Sequence, residues 1–163
     1  MKIRKQVGFT LMEMLIVVAI IAILAAAVFA ALNPARRFAE ANNSQRWSDI
    51  TGVLGAVVAY MVDNNGQFPS GLDTDFVNAQ VLGTNGNGCD ATCGAVSTVS
   101  SCLDLESVLV DGGYIASIPT DQVSGTSGNS DYYVQRESTG VVTVGACDPE
   151  AEGNETPVIR VQR

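Results

Sequence analysis

The sequence contains no histidine. The commonest general base and the commonest metal ligand are therefore both missing. Ser and Thr are plentiful but sit in polar stretches, and none stands beside a base as nucleophilic catalysis requires. No aspartate-rich loop has EF-hand spacing. Basic residues are scarce and lopsided. Three of the nine, Lys2, Arg4 and Lys5, precede the first apolar run, so 17 acidic residues face only the other six. General nucleic-acid binding needs clustered Lys and Arg, and that class is excluded. The acidic remainder suits a self-repelling, exported surface. These absences point away from an enzyme and from a resident cofactor.

Four cysteines are present, Cys89, Cys93, Cys102 and Cys147, all far downstream of the apolar run. Their spacing and the lack of His argue against zinc. An even count in an exported region predicts two disulfides. Three pairings are possible, and the sequence does not choose among them.

Residues 9–32 are apolar except for Thr10 and Glu13. As a helix this run spans about 36 Å, enough to cross a bilayer core of about 30 Å. Lys2, Arg4 and Lys5 on its flank place the N-terminus in the cytoplasm and export the chain beyond residue 32. An ordinary signal peptide also starts with positive charge. Its apolar region is shorter, however, and carries no acid.

Beyond Asn33-Pro34 the apolar residues turn periodic. Phe38, Trp47, Ile50, Leu54, Val57, Val58 and Met61 follow helical spacing, with Arg46, Asp49 and Asp63 off that stripe. One long helix over residues 9–63 is expected, with a kink or local break at Pro34. It stops at Asn64-Asn65-Gly66 and Pro69-Ser70-Gly71. Residues 70–100 read as a stapled loop, residues 101–110 as a short helix, and residues 119–129 as a second loop. Residues 131–136, 141–145 and 157–162 read as three antiparallel strands that bury the amphipathic half of the helix. The class is α+β. Its parts are a leader (1–8), a membrane and filament helix (9–32), an amphipathic helix (33–64) and a globular head (65–163).

Glu13 lies within the apolar span, where a carboxylate costs on the order of 2–3 kcal/mol, so a functional role is the default. The stretch Lys5-Gln6-Val7-Gly8-Phe9-Thr10-Leu11-Met12-Glu13, followed by the apolar run, resembles the type III signal of type IV prepilins and type II secretion pseudopilins. The resemblance covers the first 32 residues closely, and the helix-then-sheet layout more loosely. It implies cleavage after Gly8 by a prepilin peptidase and N-methylation of the new N-terminus at Phe9. It also implies that Glu13 attracts the Phe9 amine of a neighbouring copy and sets the stagger between subunits. Gly8 lets backbone enter a protease cleft closely. Small faces at Ala19, Ala22 and residues 25–27 allow close helix approach. The family often breaks this helix with Gly or Pro; here no Gly falls between Gly8 and Gly52, and the first Pro is Pro34.

The resemblance further implies a life in the cytoplasmic membrane and then an extracellular or periplasmic filament of copies of this chain. An inner-membrane platform protein and an assembly ATPase would build it. One pseudopilin class binds calcium, which Asp121, Asp131 and Asp148 could hold, although solvated loop acids are the plainer account of the three. Pilus subunit, secretion pseudopilin and membrane-anchored exported enzyme or binding domain are the competing functions.

Overall fold

The computed structural model describes residues 8–73 and 77–163. The leader charges Lys2, Arg4 and Lys5 lie outside the described residues. The chain forms two compact units, Met1–Phe38 and Ala39–Arg163.

In the first unit, helix α1 covers Leu11–Leu32 and buries none of its side chains in the chain. Its 22 residues give about 33 Å, so by length and composition it can cross a membrane. The helix starts two residues later than the apolar run suggests. Thr10 is its N-cap, in extended backbone, and the reason is the hydrogen bonding described below. Asn33 ends α1 in the left-handed conformation, with φ 42°. Asn tolerates this conformation better than most residues. Pro34 then opens α2, Pro34–Asp63, where its missing N–H costs nothing. Of the kink or local break expected at Pro34, the structure has the break, centred one residue earlier at Asn33.

In the second unit, α2 buries Ala39, Asn43, Arg46, Ile50, Val53, Leu54, Ala56 and Val57. Two expectations for this helix fail. Phe38 and Trp47 are exposed at 70% and 41%, whereas Arg46 is buried at 2%. The buried face runs through positions 39, 43, 46, 50, 53 and 57, in steps of three and four, and Arg46 lies on it.

That face packs on a four-stranded antiparallel sheet rather than the three strands expected. In order these are β1 (Gln80–Val81), β2 (Tyr132–Arg136), β3 (Val142–Ala146) and β4 (Arg160–Gln162). The extra strand, β1, lies in the Gly- and Asn-rich stretch read as loop, and pairs Gln80 with Val134 and Val81 with Tyr133. Of residues 101–110 only Glu106–Val110 is helical, as a single π-type turn. Leu103 instead bridges to Leu82.

The alternation along β2 explains why its run is apolar on both sides. Tyr132 and Val134 join Ile50, Val53, Val57, Leu82, Leu109, Val144 and Ile159 in the main core. Tyr133 points to the other face and packs with Ala79, Val81, Cys89 and Cys147. Its cross-strand partner is Gly145, where a Cβ would lie 2.5 Å from the Tyr133 hydroxyl, so only glycine admits the ring. Both faces are covered, one by α2 and the other by the loop carrying the cysteines.

Two disulfides hold that loop, Cys89–Cys102 and Cys93–Cys147. The first closes a separation of 13 residues and the second one of 54. Chain-entropy arguments assign about 3 and about 4 kcal/mol to such closures. Peptide mapping without reduction should therefore recover these two pairs and no others. Cys93→Ser with Cys147→Ser should destabilise the head to denaturant more than Cys89→Ser with Cys102→Ser, and equal losses would contradict the account.

Candidate functional site

The first turn of α1 is closed by reciprocal bonds. The Glu13 N–H donates to Thr10 Oγ1 at 3.2 Å, and Glu13 Oε2 accepts from Thr10 N at 2.9 Å and Thr10 Oγ1 at 2.8 Å. This is a capping box, in which two otherwise orphaned backbone donors are satisfied. It has two consequences. The carboxylate, costly in an apolar span, receives two donors and sits at the positive end of its own helix. The box also fixes where helix begins, so the Gly8–Phe9 peptide bond precedes it in non-helical backbone.

Gly8 is exposed, and a Cβ built on it would meet nothing within 4 Å. Packing within the chain gives no reason for glycine there. Phe9 is 80% exposed. An accessible, non-helical bond beside a residue without a side chain is what a protease cleft can take in. Apolar patterning alone makes Thr10 a mere polar interruption, and its role is in fact to start the helix. A local signal for this exists, since Thr10-x-x-Glu13 ahead of an apolar run is the capping-box signature.

The head contains a second polar cluster, built around Arg46. Its guanidinium makes a two-pronged contact with Asp121, through Nε to Oδ2 and through Nη2 to Oδ1 at 3.0 Å. Nη1 donates to Asn43 Oδ1 at 2.8 Å and to Glu150 Oε2 at 3.2 Å. Asn43 in turn donates to the Glu150 carbonyl and to Glu152 Oε1, both at 2.8 Å. Burial acts to lower the Arg46 pKa, but Asp121 and Glu150 prevail and hold it above its ordinary value. Burial likewise acts to raise Asp121; Arg46 and the N–H groups of Val123 and Ser124 outweigh it, leaving the carboxyl below the usual range.

Asp121, Asp131 and Asp148 are not the solvated trio expected. Asp121 and Asp131 are buried, and only Asp148 is exposed. Asp121 already has a cation in Arg46, and Asp131 accepts the Ser124 hydroxyl. Asp148 accepts from Gly94 N at 3.3 Å. Among the described residues no group of three or more His, Cys, Asp or Glu side chains is placed to hold a metal ion.

Comparison with known proteins bears on the first segment. Residues 3–29 match the family of the prokaryotic N-terminal methylation motif. No match was found among curated proteins or among solved structures. The N-terminal segment is a prepilin-type signal of the pilin and pseudopilin kind. The head is an α+β arrangement of a helix on a four-stranded antiparallel sheet, as in pilins.

The Arg46 cluster makes a sharp stability prediction. Arg46→Ala leaves Asp121 buried without its cation and should cost about 3–5 kcal/mol in denaturant unfolding of the detergent-solubilised chain. Arg46→Met combined with Asp121→Asn, which removes the buried charge but keeps an acceptor for the Val123 and Ser124 N–H groups, should restore part of that loss. A single variant as stable as the parent would contradict the role given to the pair. Asp131 behaves oppositely to Asp121. Burial, with Asp148 and Asp121 nearby, raises its pKa against the Ser124 hydrogen bond. An acid with a raised folded pKa contributes stability fully below its unfolded value, near pH 4, and loses it as pH climbs through the folded value. Asp131→Asn keeps the shape, and asparagine suits the φ of 64° there. Its Tm should equal or exceed the parent's at neutral pH and lose that advantage in acid; a large loss at neutral pH would refute this.

Proposed function

We propose that this chain is a body subunit of a type IV pilus-like filament at the cell surface, serving adhesion, motility or DNA uptake. The observation that carries this reading is the methylation motif at residues 3–29 with the accessible Gly8–Phe9 bond ahead of the Thr10–Glu13 capping box. On this reading α1 is stored in the cytoplasmic membrane with Lys2, Arg4 and Lys5 on the cytoplasmic side. Prepilin peptidase cuts after Gly8 and methylates Phe9, leaving an amine that stays largely cationic at neutral pH. A platform protein and an assembly ATPase then draw the helix out of lipid into a core of identical helices. The subunit is structural, acts without a cofactor and is not an enzyme.

Glu13 has the chemistry this step needs. Both Thr10 donors use Oε2. A neighbour's methylated Phe9 amine would take Oε1, matching charge across subunits while the capping box holds the carboxylate in place. A pseudopilin of type II secretion shares the same signal. The two disulfides favour the pilus, because a head stapled in this way suits permanent exposure outside the cell.

Intact-mass and N-terminal analysis of sheared surface fractions should find a chain beginning at methylated Phe9. A chain beginning near residues 28–35 would mean ordinary signal-peptide cleavage and would end the pilin reading. Glu13→Ala should leave membrane insertion and cleavage intact while lowering filament yield by about tenfold or more. Wild-type yield from that variant would overturn the role of Glu13. Loss of secreted enzymes without loss of surface filaments on deletion would favour the pseudopilus.

A further inference from the structure

The sequence holds two Asn-x-Ser/Thr triplets, Asn42-Asn43-Ser44 and Asn154-Glu155-Thr156. Such a triplet is an acceptor for N-linked glycan when it is exported and reachable. Each also has a glutamate two residues ahead of its asparagine, Glu40 and Glu152, so local composition does not separate them. Their surroundings do.

Asn42 lies inside α2, and its Nδ2, the atom that would carry the sugar, donates to Glu150 Oε2 at 2.7 Å. Ser44 turns its hydroxyl back to the Glu40 carbonyl at 2.8 Å. A transferase would have to unwind the helix that holds the core to read this triplet.

Asn154 lies in the connection between β3 and β4, and Asn154, Glu155 and Thr156 are all exposed. The base of this connection is fixed, since Asn43 holds the Glu150 carbonyl and Glu152 Oε1. Its tip is a tight turn closed by Glu152 N to the Glu155 carbonyl at 2.8 Å, with Gly153 at φ 90° supplying the left-handed step. The acceptor amide therefore sits at the apex of a surface turn with an anchored base, outside helix and sheet. Directly after it, Thr156, Pro157 and Val158 line an open groove of about 320 Å³, with Tyr133, Asp148 and Arg160 also in its wall. Val158 is 71% exposed. A sugar ring has an apolar face and a polar rim, and the groove offers a counterpart to each.

We infer that Asn154 is an N-glycosylation site, filled after export, once the head has folded, from a lipid-pyrophosphate-linked oligosaccharide. In that transfer the anomeric carbon–oxygen bond to the pyrophosphate breaks and the lipid pyrophosphate leaves with the electron pair. A carbon–nitrogen bond forms to Asn154 Nδ2, and one amide proton passes to a base of the transferase. The inference uses the proposed function only for export of the head.

The test is tryptic mapping of the reduced protein from its native host, with N-terminal analysis on the same sample. Trypsin should release peptide 137–160, which contains Asn154, and peptide 38–46, which contains Asn42. The expected result is a glycan mass on peptide 137–160, lost in Asn154→Gln and Thr156→Ala and retained in Thr156→Ser, with peptide 38–46 bare. Peptide 137–160 recovered only at its bare mass, from chains whose N-terminus shows export and processing, would overturn the inference. So would a glycan mass that persists in Asn154→Gln. A glycosylated Asn154 on chains that never enter a filament would keep this site and remove the filament reading instead.

Discussion

The head is organised around one buried cation. Arg46 stands in the middle of the core-facing stripe of α2, and a guanidinium there is tolerable only because its donors are met. Asp121 comes from the loop before β2, and Glu150 from the connection after β3. The same side chain therefore registers one end of the sheet's central pair, the end where Tyr132 lies opposite Ala146, against the helix. Asn43, one turn earlier, extends the arrangement to the Glu150 backbone and to Glu152. The apolar contacts of Ile50, Val53 and Val57 supply most of the driving force, but such contacts are non-directional. The charged pair decides where along the helix the loops attach.

At the other end of the chain the problem is reversed. α1 is apolar on every side and carries one acid in its first turn. A free carboxylate there would weigh against storage in lipid. Thr10 lessens that by giving it two hydrogen bonds and by keeping it at the end of the helix, where the backbone is partly positive. On the proposed function, storage in a membrane and use in an assembly both depend on the same three-residue spacing. The helix boundary it sets also leaves the Gly8–Phe9 bond outside regular structure.

Much of this is legible in the chain before folding. The apolar run, the motif around Gly8 and Phe9, the break near Pro34 and the strands at Tyr132–Arg136 and Val142–Ala146 all come from local pattern. Features fixed by distant partners do not. β1 is two residues long in a Gly- and Asn-rich stretch, and it exists because Tyr133 and the disulfides cover it. The cysteine pairing depends on which loops meet. Arg46 reads as off the stripe because its charge suggests solvent, and the Asp121 that makes its burial tolerable is 75 residues away. Trp47 and Phe38 mislead in the opposite sense, because size, hydrophobicity and apparent spacing suggest burial while the face that meets the sheet leaves them exposed.

The bridge between Cys93 and Cys147 has a mechanical meaning. It joins the loop over the outer face of the sheet to the residue immediately after β3. When tension is applied between a point before Cys93 and a point after Cys147, the load crosses the sulfur–sulfur bond and bypasses the stretch between them, a sequence separation of 54. Those residues include β2 and β3, and extended they would add roughly 180 Å of slack. With the bridge closed, that length cannot be pulled out unless a covalent bond breaks. The central strands are thereby kept from unravelling under a pull along the chain across that bridge.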